Sequence, residues 1–275
     1  MTVHRFQLGD FVCWSISDGT RVYPAKAFFA NAPQAELAGA LERHGLTAEL
    51  TTPFNALLVN TGAQRILVDI GNGAVVDTVG KLLVNLRMAG FTPQDVDTVI
   101  LTHGHADHAG GAINNANQPA FPNARYLLSR PEWDYWISDD TALRIGESRL
   151  KPTWRIFNAL QDRVSLIEPD AEIAPCIRAL PAPGHTPGNI AVEIMSAHQR
   201  LVYIPDVFAH PIHLEHPDWN IVADADPERA ITTRRCFLKL LCMDDALVLG
   251  YHFSPPGLGR VIALGDVWAW QAVVG

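Results

Sequence analysis

The densest group of reactive side chains in the sequence follows the apolar run Val99–Leu101. Three histidines and one aspartate, His103, His105, Asp107 and His108, fall within six residues there. Imidazole nitrogens and carboxylate oxygens are the donors that zinc and similar divalent ions prefer in proteins. One ion would leave some of these donors unused. In a turn, the first two histidines can converge on one ion and the other two residues on a second, so the spacing predicts two adjacent metal positions.

Apolar runs of strand length recur along the chain, and most of them end in Gly, Asp, Asn or Pro. The predicted strands are Phe11–Ile16, Ala56–Val59, Arg65–Asp69, Thr98–Leu101, Arg125–Leu128, Ile190–Ile194, Leu201–Ile204 and Ala246–Leu249. The predicted helices are Gln34–His44, Val75–Ala89, Pro131–Ile137 and Pro227–Leu241. Because some strands adjoin and others are separated by helices, the pattern predicts a mixed sheet in a layered α/β architecture. The metal cluster would then follow a strand end.

Two kinds of connection support the mixed sheet. Asn60–Gln64 is a short link between two apolar strands and predicts a hairpin. Val75–Ala89 is long enough for a helix that crosses over to a parallel strand. At the last predicted helix, Asp226 has an N-cap residue type and Pro227 suits the first helical position.

The cluster resembles the metallo-β-lactamase superfamily, whose signature HxHxDH it matches at every position. Further matches follow in the order that this family has: a histidine in Pro183–Gly188, an aspartate in Tyr203–Asp206 and a histidine in Gly250–Phe253. The resemblance extends from about residue 55 to about residue 260. It implies the metallo-β-lactamase fold, an αβ/βα sandwich of two mixed β-sheets flanked by helices, with the site at one edge.

The resemblance also implies a role for each of the matched residues. It assigns His103, His105 and His185 to a first metal, Asp107, His108 and His252 to a second, and Asp206 to a bridge between the two. The implied cofactor is a pair of divalent ions, zinc ahead of cobalt, manganese or iron. Two such ions about 3.5–4 Å apart can share a hydroxide that attacks an ester carbonyl. Asp107 would accept the proton and return it.

Residues that differ from those of particular branches of the family reduce the number of activities to consider for this chain. Flavodiiron oxidoreductases have a glutamate where this chain has His105, and the commonest secreted β-lactamases have a cysteine where it has Asp206. The nearest resemblance is to the methyl parathion hydrolase-like and N-acyl homoserine lactone lactonase group. The stretches that carry it are Phe121–Tyr126, Ser129–Asp134, His216–Trp219 and His252–Gly257. It implies a hydrolase that opens small-molecule lactones or esters.

Three alternatives remain open on the sequence. A phosphotriesterase would use the same attacking hydroxide at phosphorus, and a glyoxalase II-like enzyme would use it on a thioester. A metal-stabilised binding or structural module would keep the ligands without turnover. Hydrolysis assays with added metal separate the enzymes from the non-catalytic module.

One departure concerns a hydrogen-bond donor near the reacting oxygens. Lactonases of this group place a tyrosine three residues after the bridging aspartate, where this chain has Ala209 followed by His210. We therefore expect His210 to supply that donor.

Large aromatic residues are candidates to line the pocket, with ordinary core packing as the alternative. They are Phe28, Phe29, Trp133, Trp136 and Phe208.

Composition limits the partners and the domain organisation. The chain has 275 residues, a formal net charge of −8, 48% hydrophobic and 18% charged residues, which is typical of a globular protein. We expect a single domain over residues 1–275, with residues 1–50 as a candidate lid or dimer contact. The acidic balance argues against nucleic-acid binding. Relatives of the family suggest a homodimer.

The sequence also bears on location. No apolar run approaches the roughly 20 residues that cross a bilayer. Met1–Asp10 is polar and lacks the pattern of a secretory signal. Four scattered cysteines without a CxxC pair predict reduced, mostly buried thiols. We therefore expect a cytoplasmic protein without membrane contact.

Overall fold

The structure is a computed structural model that describes residues 2–73, 78–243, 246–265 and 267–273. Within these ranges it contains two seven-stranded sheets. The first consists of β1 (Val3–Leu8), β2 (Phe11–Pro24), β3 (Glu49–Asn60), β4 (Arg65–Val68), β5 (Thr98–Ile100), β6 (Arg125–Ser129) and β7 (Val164–Ile167), side by side in that order. The second consists of β8 (Glu172–Ala174), β9 (Ile177–Pro181), β10 (Ile190–Ser196), β11 (Gln199–Ile204), β12 (Leu247–Gly250), β13 (Leu258–Leu264) and β14 (Val267–Ala272), again in order.

Helices lie between these strands along the chain. They are α1 (Gln34–Arg43), α2 (Leu82–Met88), α3 (Ala106–Ala109), α4 (Arg130–Ile137), α5 (Asp139–Ile145), α6 (Glu147–Leu160), α7 (Ile212–Glu215) and α8 (Pro227–Met243). Among the described helices, none is long and apolar enough to span a membrane.

Both sheets are mixed. In the first, β1 to β4 pair antiparallel and β4 to β7 pair parallel. In the second, β11 and β12 pair parallel and the other neighbours antiparallel. The hairpin predicted at Asn60–Gln64 joins β3 to β4. The predicted sandwich of two mixed sheets flanked by helices is confirmed.

The buried run in β3 shows how the layers are held together. Alternate residues of a strand face opposite sides of a sheet. Leu57 and Val59 belong to the core between the two sheets, together with Val192 and Leu201 of the second sheet. Ala56 and Leu58 belong to the cluster on the outer face, where α2 and α6 pack. A third cluster joins α8 to the outer face of the second sheet.

The start of one predicted helix is wrong. The expected helix Val75–Ala89 begins at Leu82 instead, and its residues 75–77 lie outside the described residues. Gly80 has φ +81°, a conformation that a right-handed helix does not contain. The buried carboxylate of Asp18 accepts hydrogen bonds from the Gly80 and Leu82 amides, so it fixes the first turn of α2.

Other local predictions have clear outcomes. The helix predicted after Asp226 begins at Pro227, and the Asp226 carboxylate accepts a hydrogen bond of 3.0 Å from the Arg229 amide. The cysteines are free thiols, but Cys176 and Cys236 are exposed, so the prediction of mostly buried thiols is wrong for those two. Both lie where the chain faces solvent, on a turn and on the outer side of α8.

Candidate metal centre

Loops at one edge of the sandwich carry the predicted metal ligands. His103 and His105 follow β5, Asp107 and His108 lie in α3, His185 lies between β9 and β10, Asp206 follows β11, and His252 follows β12. The ends of β5, β11 and β12 meet at this edge. Residues that are distant in sequence therefore converge there.

The first group of donors surrounds His105. Its Nδ1 atom lies 3.0 Å from His103 Nε2 and 2.9 Å from His185 Nε2. The Asp206 Oδ2 atom lies 3.0 Å from His185 Nε2. These four residues each place one donor atom within 4.8 Å of the others, which is close enough to hold one ion.

The second group contains Asp107, His108 and His252, whose donor atoms also lie within 4.8 Å of one another. The Nε2 atoms of His108 and His252 lie 3.1 and 3.0 Å from Asp206 Oδ1. Each of them is 3.7 Å from Asp107 Oδ2. Asp206 therefore faces the first group with one carboxylate oxygen and the second group with the other.

The donors fit a pair of divalent cations. His108 Nε2 and Asp206 Oδ1 are buried and make no hydrogen bond, although they lie 3.1 Å apart. Buried polar atoms without partners cost free energy, and converging imidazole and carboxylate donors are what a divalent ion satisfies. Two groups that share one carboxylate thus support two divalent metal ions.

Burial and the nearby carboxylates shift the pKa values of the clustered imidazoles in opposite directions. Burial lowers the pKa of His103 well below its usual range and lowers the pKa of His105 to about 4. Both imidazoles are therefore neutral near pH 7, with a lone pair available for a cation. Burial acts in the same direction on His185, but Asp206 and Asp224 outweigh it and raise the pKa of His185 to about 9.

The pKa of Asp206 is shifted in the direction that keeps it ionised. Burial alone would raise this pKa, but the charges of His252, His108 and His185 outweigh burial and hold it well below its usual range. A buried carboxylate that remains charged supplies the negative charge that two dications need.

Three buried carboxylates outside the cluster hold its residues in place, and the sequence analysis did not single them out. Asp69, directly after β4, accepts hydrogen bonds from His108 Nδ1 at 2.8 Å and from the Tyr203 hydroxyl at 2.9 Å. It also accepts from the Thr102 amide and hydroxyl. This fixes the ring orientation of His108, as carboxylates beside metal-binding histidines commonly do.

Glu132, the second of these carboxylates, lies in α4 and joins the two ligand loops. Its Oε1 atom accepts from the Gly104 amide at 2.9 Å and from Trp136 Nε1 at 2.5 Å. Its Oε2 atom accepts from the Thr186 hydroxyl at 2.6 Å and from the Gly188 amide at 3.1 Å. The loop of His103 and the loop of His185 are thus tied to one side chain.

Asp224 is the third. It accepts from His185 Nδ1 at 3.0 Å and from Arg234 Nη2 at 2.7 Å, and its Oδ2 atom also accepts from the Ile221 amide at 3.0 Å. Burial opposes its charge, but His185 and Arg234 keep the pKa of Asp224 below its usual range. Arg234 is 1% exposed and also donates to the Trp219 carbonyl. Asp224 therefore fixes both a candidate ligand and the segment that follows α7.

A cavity of about 340 Å³ opens onto the cluster. Besides candidate ligands and the neighbouring Ala106, it is lined by Tyr23, Ala27, Phe28, Thr52, Ile221, Val222 and Ala223. The first three come from the N-terminal segment and the last three from the segment after α7. The two segments are joined by backbone hydrogen bonds from Ala30 to Asn220, 2.8 Å, and from Val222 to Ala27, 2.9 Å.

The predicted pocket aromatics divide into two sets. Phe28 lines the cavity, and Trp136 contacts the His105 ring edge-on with centroids 5.3 Å apart. Phe29 and Phe208 are fully buried, and Trp133 stacks on Phe157 in the core. For these last three the alternative of core packing holds.

His210 lies apart from the residues that line the cavity. Its ring contacts Phe29 edge-on at 5.8 Å, and its Nδ1 atom accepts from the Ile212 amide at 3.2 Å. Burial lowers the pKa of His210 to about 4, so it is neutral. A catalytic role for His210 stays a prediction from the sequence.

Known proteins match both the sequence and the fold. An N-acyl homoserine lactonase from Bacillus sp is 32% identical over 156 residues, which cover 53% of this chain and 56% of that protein. The chain thus spans little more than half the length of that relative. N-acyl homoserine lactonase AiiA of Bacillus thuringiensis subsp. kurstaki is 30% identical over 214 residues, 74% of this chain and 78% of that protein.

A solved structure matches over nearly the whole chain. AidC, described as a dizinc quorum-quenching lactonase in complex with a product N-hexanoyl-L-homoserine, has a TM-score of 0.93 at 28% identity. The match covers 99% of this chain and 98% of that one. The profile of the metallo-beta-lactamase superfamily matches residues 52–252, the stretch that contains all the converging donors. This chain therefore belongs to the metallo-beta-lactamase superfamily.

Proposed function

We propose that this protein is a metal-dependent hydrolase that opens lactone esters, with N-acyl homoserine lactones as the leading substrates. The observation that carries the proposal is the convergence of two donor groups on Asp206 at the floor of a cavity with an apolar wall. Relatives named as lactonases support the substrate class.

The first ion would be held by His103, His105, His185 and Asp206, and the second by Asp107, His108, His252 and Asp206. We propose zinc at both positions, because imidazole-rich sites suit zinc and the similar AidC is described as dizinc. Bound divalent ions at such a site polarise an ester carbonyl and lower the pKa of water.

Asp107 is the candidate for proton transfer. Its side chain is 26% exposed and lines the cavity, whereas the neighbouring imidazoles of His108 and His252 are buried. In ester hydrolysis, water oxygen bonds to the carbonyl carbon and the bond to the ring oxygen breaks. Asp107 would accept the proton of the attacking water and return it to the leaving alkoxide, so that no net charge is produced at this step. The Tyr251 hydroxyl donates to the Asp107 carbonyl and holds this residue in place.

The wall of the cavity would bind the substrate and take no part in the hydrolytic step. Phe28, Ile221 and Val222 offer apolar surface beside the cluster. An acyl chain would displace water from that surface, which is favourable by about 25 cal/mol per Å² of buried apolar area. Because Phe28 belongs to residues 1–50, we propose that part of this segment covers the substrate.

Metal content and substrate preference test the proposed function directly. We expect about two divalent ions per chain and the highest kcat/KM for N-hexanoyl-homoserine lactone. The comparison panel is a plain γ-lactone, an aryl phosphotriester and S-lactoylglutathione, with chelated protein as control. Preference for the phosphotriester or thioester would replace the substrate class, and failure to bind or be rescued by zinc, cobalt or manganese would contradict the proposal. Gel filtration of the same sample tests the proposed homodimer.

The Asp224→Asn variant is expected to bind zinc about 10- to 100-fold more weakly. An amide oxygen can still accept from His185, but the amide nitrogen would then face the Arg234 guanidinium, donor against donor. Competition with chelators of graded affinity measures the change. Asp218→Asn is the matched control, because Asp218 pairs with Arg235 on the surface of the same region. Equal affinities in the two variants would show that Asp224 does not position His185.

A further inference from the structure

A polar patch lies beside the cavity at the end of the β2–β3 pair. Arg21 on β2 is directly opposite Thr52 on β3, and Tyr23 lies two residues further along β2. Since residues two apart point to the same face, all three side chains share one side of the sheet. Tyr23 and Thr52 line the cavity. The next residue, Pro53, accepts a hydrogen bond of 3.0 Å from His252 Nδ1, so the patch is fixed relative to the cluster.

The phenol of Tyr23 keeps its proton available for a ligand. Arg21 lies two residues away on the same face of the sheet, and a guanidinium can only donate, so it cannot accept the phenol proton. Among the described residues, no hydrogen bond takes the proton of this phenol. Burial, with the nearby charges of Asp107 and Asp206, raises the pKa of Tyr23, so the phenol stays protonated. Phe28 packs edge-on against the ring, with centroids 5.8 Å apart.

The surroundings select what this donor can recognise. Ala27, Phe28, Ile221 and Val222 give the rest of the wall an apolar character. When a ligand without an acceptor fills the cavity, the phenol donor loses its hydrogen bonds to water and gains none in return. The free-energy cost of that unpaired donor discriminates strongly between ligands with and without an acceptor. The carboxylate of Asp107 on the same cavity disfavours an anionic acceptor. A neutral carbonyl oxygen, of which an amide offers the strongest, meets these conditions.

We propose that Tyr23 is a specificity-determining residue whose hydroxyl donates a hydrogen bond to the amide carbonyl of a lactone or ester carrying an acylamino group. This rests on the proposed function and adds the residue that recognises the acylamino group of the leading substrates. Phe28 packs against the ring of Tyr23 and positions the phenol, and the reacting ester carbonyl would lie over the metal cluster instead. The acyl chain beyond the amide would follow the apolar wall.

The Tyr23→Phe variant tests this with two lactones. N-hexanoyl-homoserine lactone carries the amide, and α-heptyl-γ-butyrolactone is a matched lactone without it. Loss of one hydrogen bond of about 1.4 kcal/mol corresponds to a tenfold effect. We expect kcat/KM for the amide-bearing lactone to fall about tenfold, mainly through KM, while that for the amide-free lactone changes less than about twofold. Tyr135→Phe, which removes a phenol from the neighbouring groove, should change neither.

A binding measurement separates this inference from the proposed function. Calorimetry compares open-chain N-hexanoyl-homoserine with an amide-free acid of equal length, in the wild-type protein and in Tyr23→Phe. The wild type should prefer the amide ligand, and Tyr23→Phe should lose that preference, whether or not either lactone is hydrolysed. Equal preference in both proteins, or equal loss of activity on both lactones, would overturn the inference. Absence of lactone hydrolysis with a Tyr23-dependent preference would overturn only the proposed function.

Discussion

Asp206→Ala is expected to lower kcat/KM on N-hexanoyl-homoserine lactone by at least about a thousandfold, roughly 4 kcal/mol of transition-state stabilisation. Asp206 Oδ2 lies 3.0 Å from His185 of the first donor group, and Asp206 Oδ1 lies 3.1 and 3.0 Å from His108 and His252 of the second. Without them, the second group loses one of its two carboxylates and keeps Asp107 to attract a dication. Bound metal should fall below two per chain, as measured by plasma mass spectrometry alongside kinetics.

Two further variants make this result specific. Asp206→Asn keeps the shape of the side chain and removes its charge, so it should lose activity almost as completely. Asp218→Ala removes an exposed carboxylate and should leave metal content and kcat/KM unchanged. If Asp206→Ala retained both ions and more than a tenth of the activity, the shared-carboxylate site would be wrong.

Glu132→Ala is expected to lower the free energy of unfolding by at least about 3 kcal/mol. The substitution leaves buried donors on Gly104, Thr186, Trp136 and Gly188 without their shared acceptor. Each unpaired buried donor costs about 1–3 kcal/mol, with partial recovery where water enters. Urea unfolding of the metal-loaded protein measures the change.

The matched variants distinguish hydrogen bonding from charge. Glu132→Gln keeps one acceptor oxygen and should lose about half as much stability, because burial already raises the pKa of Glu132 and makes its charge costly. Glu168→Ala removes an exposed carboxylate that pairs with Arg130 in the same region, and should change stability by less than about 0.5 kcal/mol. A loss below about 1 kcal/mol for Glu132→Ala would show that the two loops do not depend on this side chain.

The candidate ligands could be predicted from sequence because their chemistry is locally dense. Four metal-donor side chains within six residues are hard to explain by a purely structural role. The later ligands each follow an apolar strand or lie in a tight turn. Because several strands end at the same edge of the sandwich, residues that follow them come together in space, and no additional sequence motif is needed to predict this. The fold class follows from the same alternation of strands and helices.

The supporting carboxylates could not be predicted, since each looks ordinary in its local sequence. Glu132 acts through Gly104 and Gly188, which are 28 and 56 residues away. Asp69 directly follows a strand and Asp224 lies in an irregular segment, so neither belongs to a recognisable sequence pattern. Tyr23 was missed because the strand predicted to end at Ile16 continues to Pro24, past a bulge at Ser17 and Gly19.

Some helices were missed for a related reason. The stretch that forms α5 and α6 contains Gly146 at φ +85° and Pro152 inside a helix. Either residue interrupts the apolar spacing that indicates a helix, and Pro also removes a hydrogen bond. Packing of Leu150, Phe157 and Leu160 against the outer cluster stabilises α6 despite the proline.

The cavity wall consists of two chain segments that are bonded to each other, and Asp224 also ties the second segment to His185. Its two halves are joined by the bonds from Ala30 to Asn220 and from Val222 to Ala27. These two bonds involve backbone atoms, and the Asn31 side chain adds bonds to the Asn220 amide and the Asp218 carbonyl. Side chains other than Asn31 can therefore vary while the halves keep their mutual register. Substrate range can therefore diverge by exchanging residues 23–31 together with 219–223 as one transplantable cassette. If only one of the two segments were exchanged, the new segment would have to keep the hydrogen bonds that join it to the other segment.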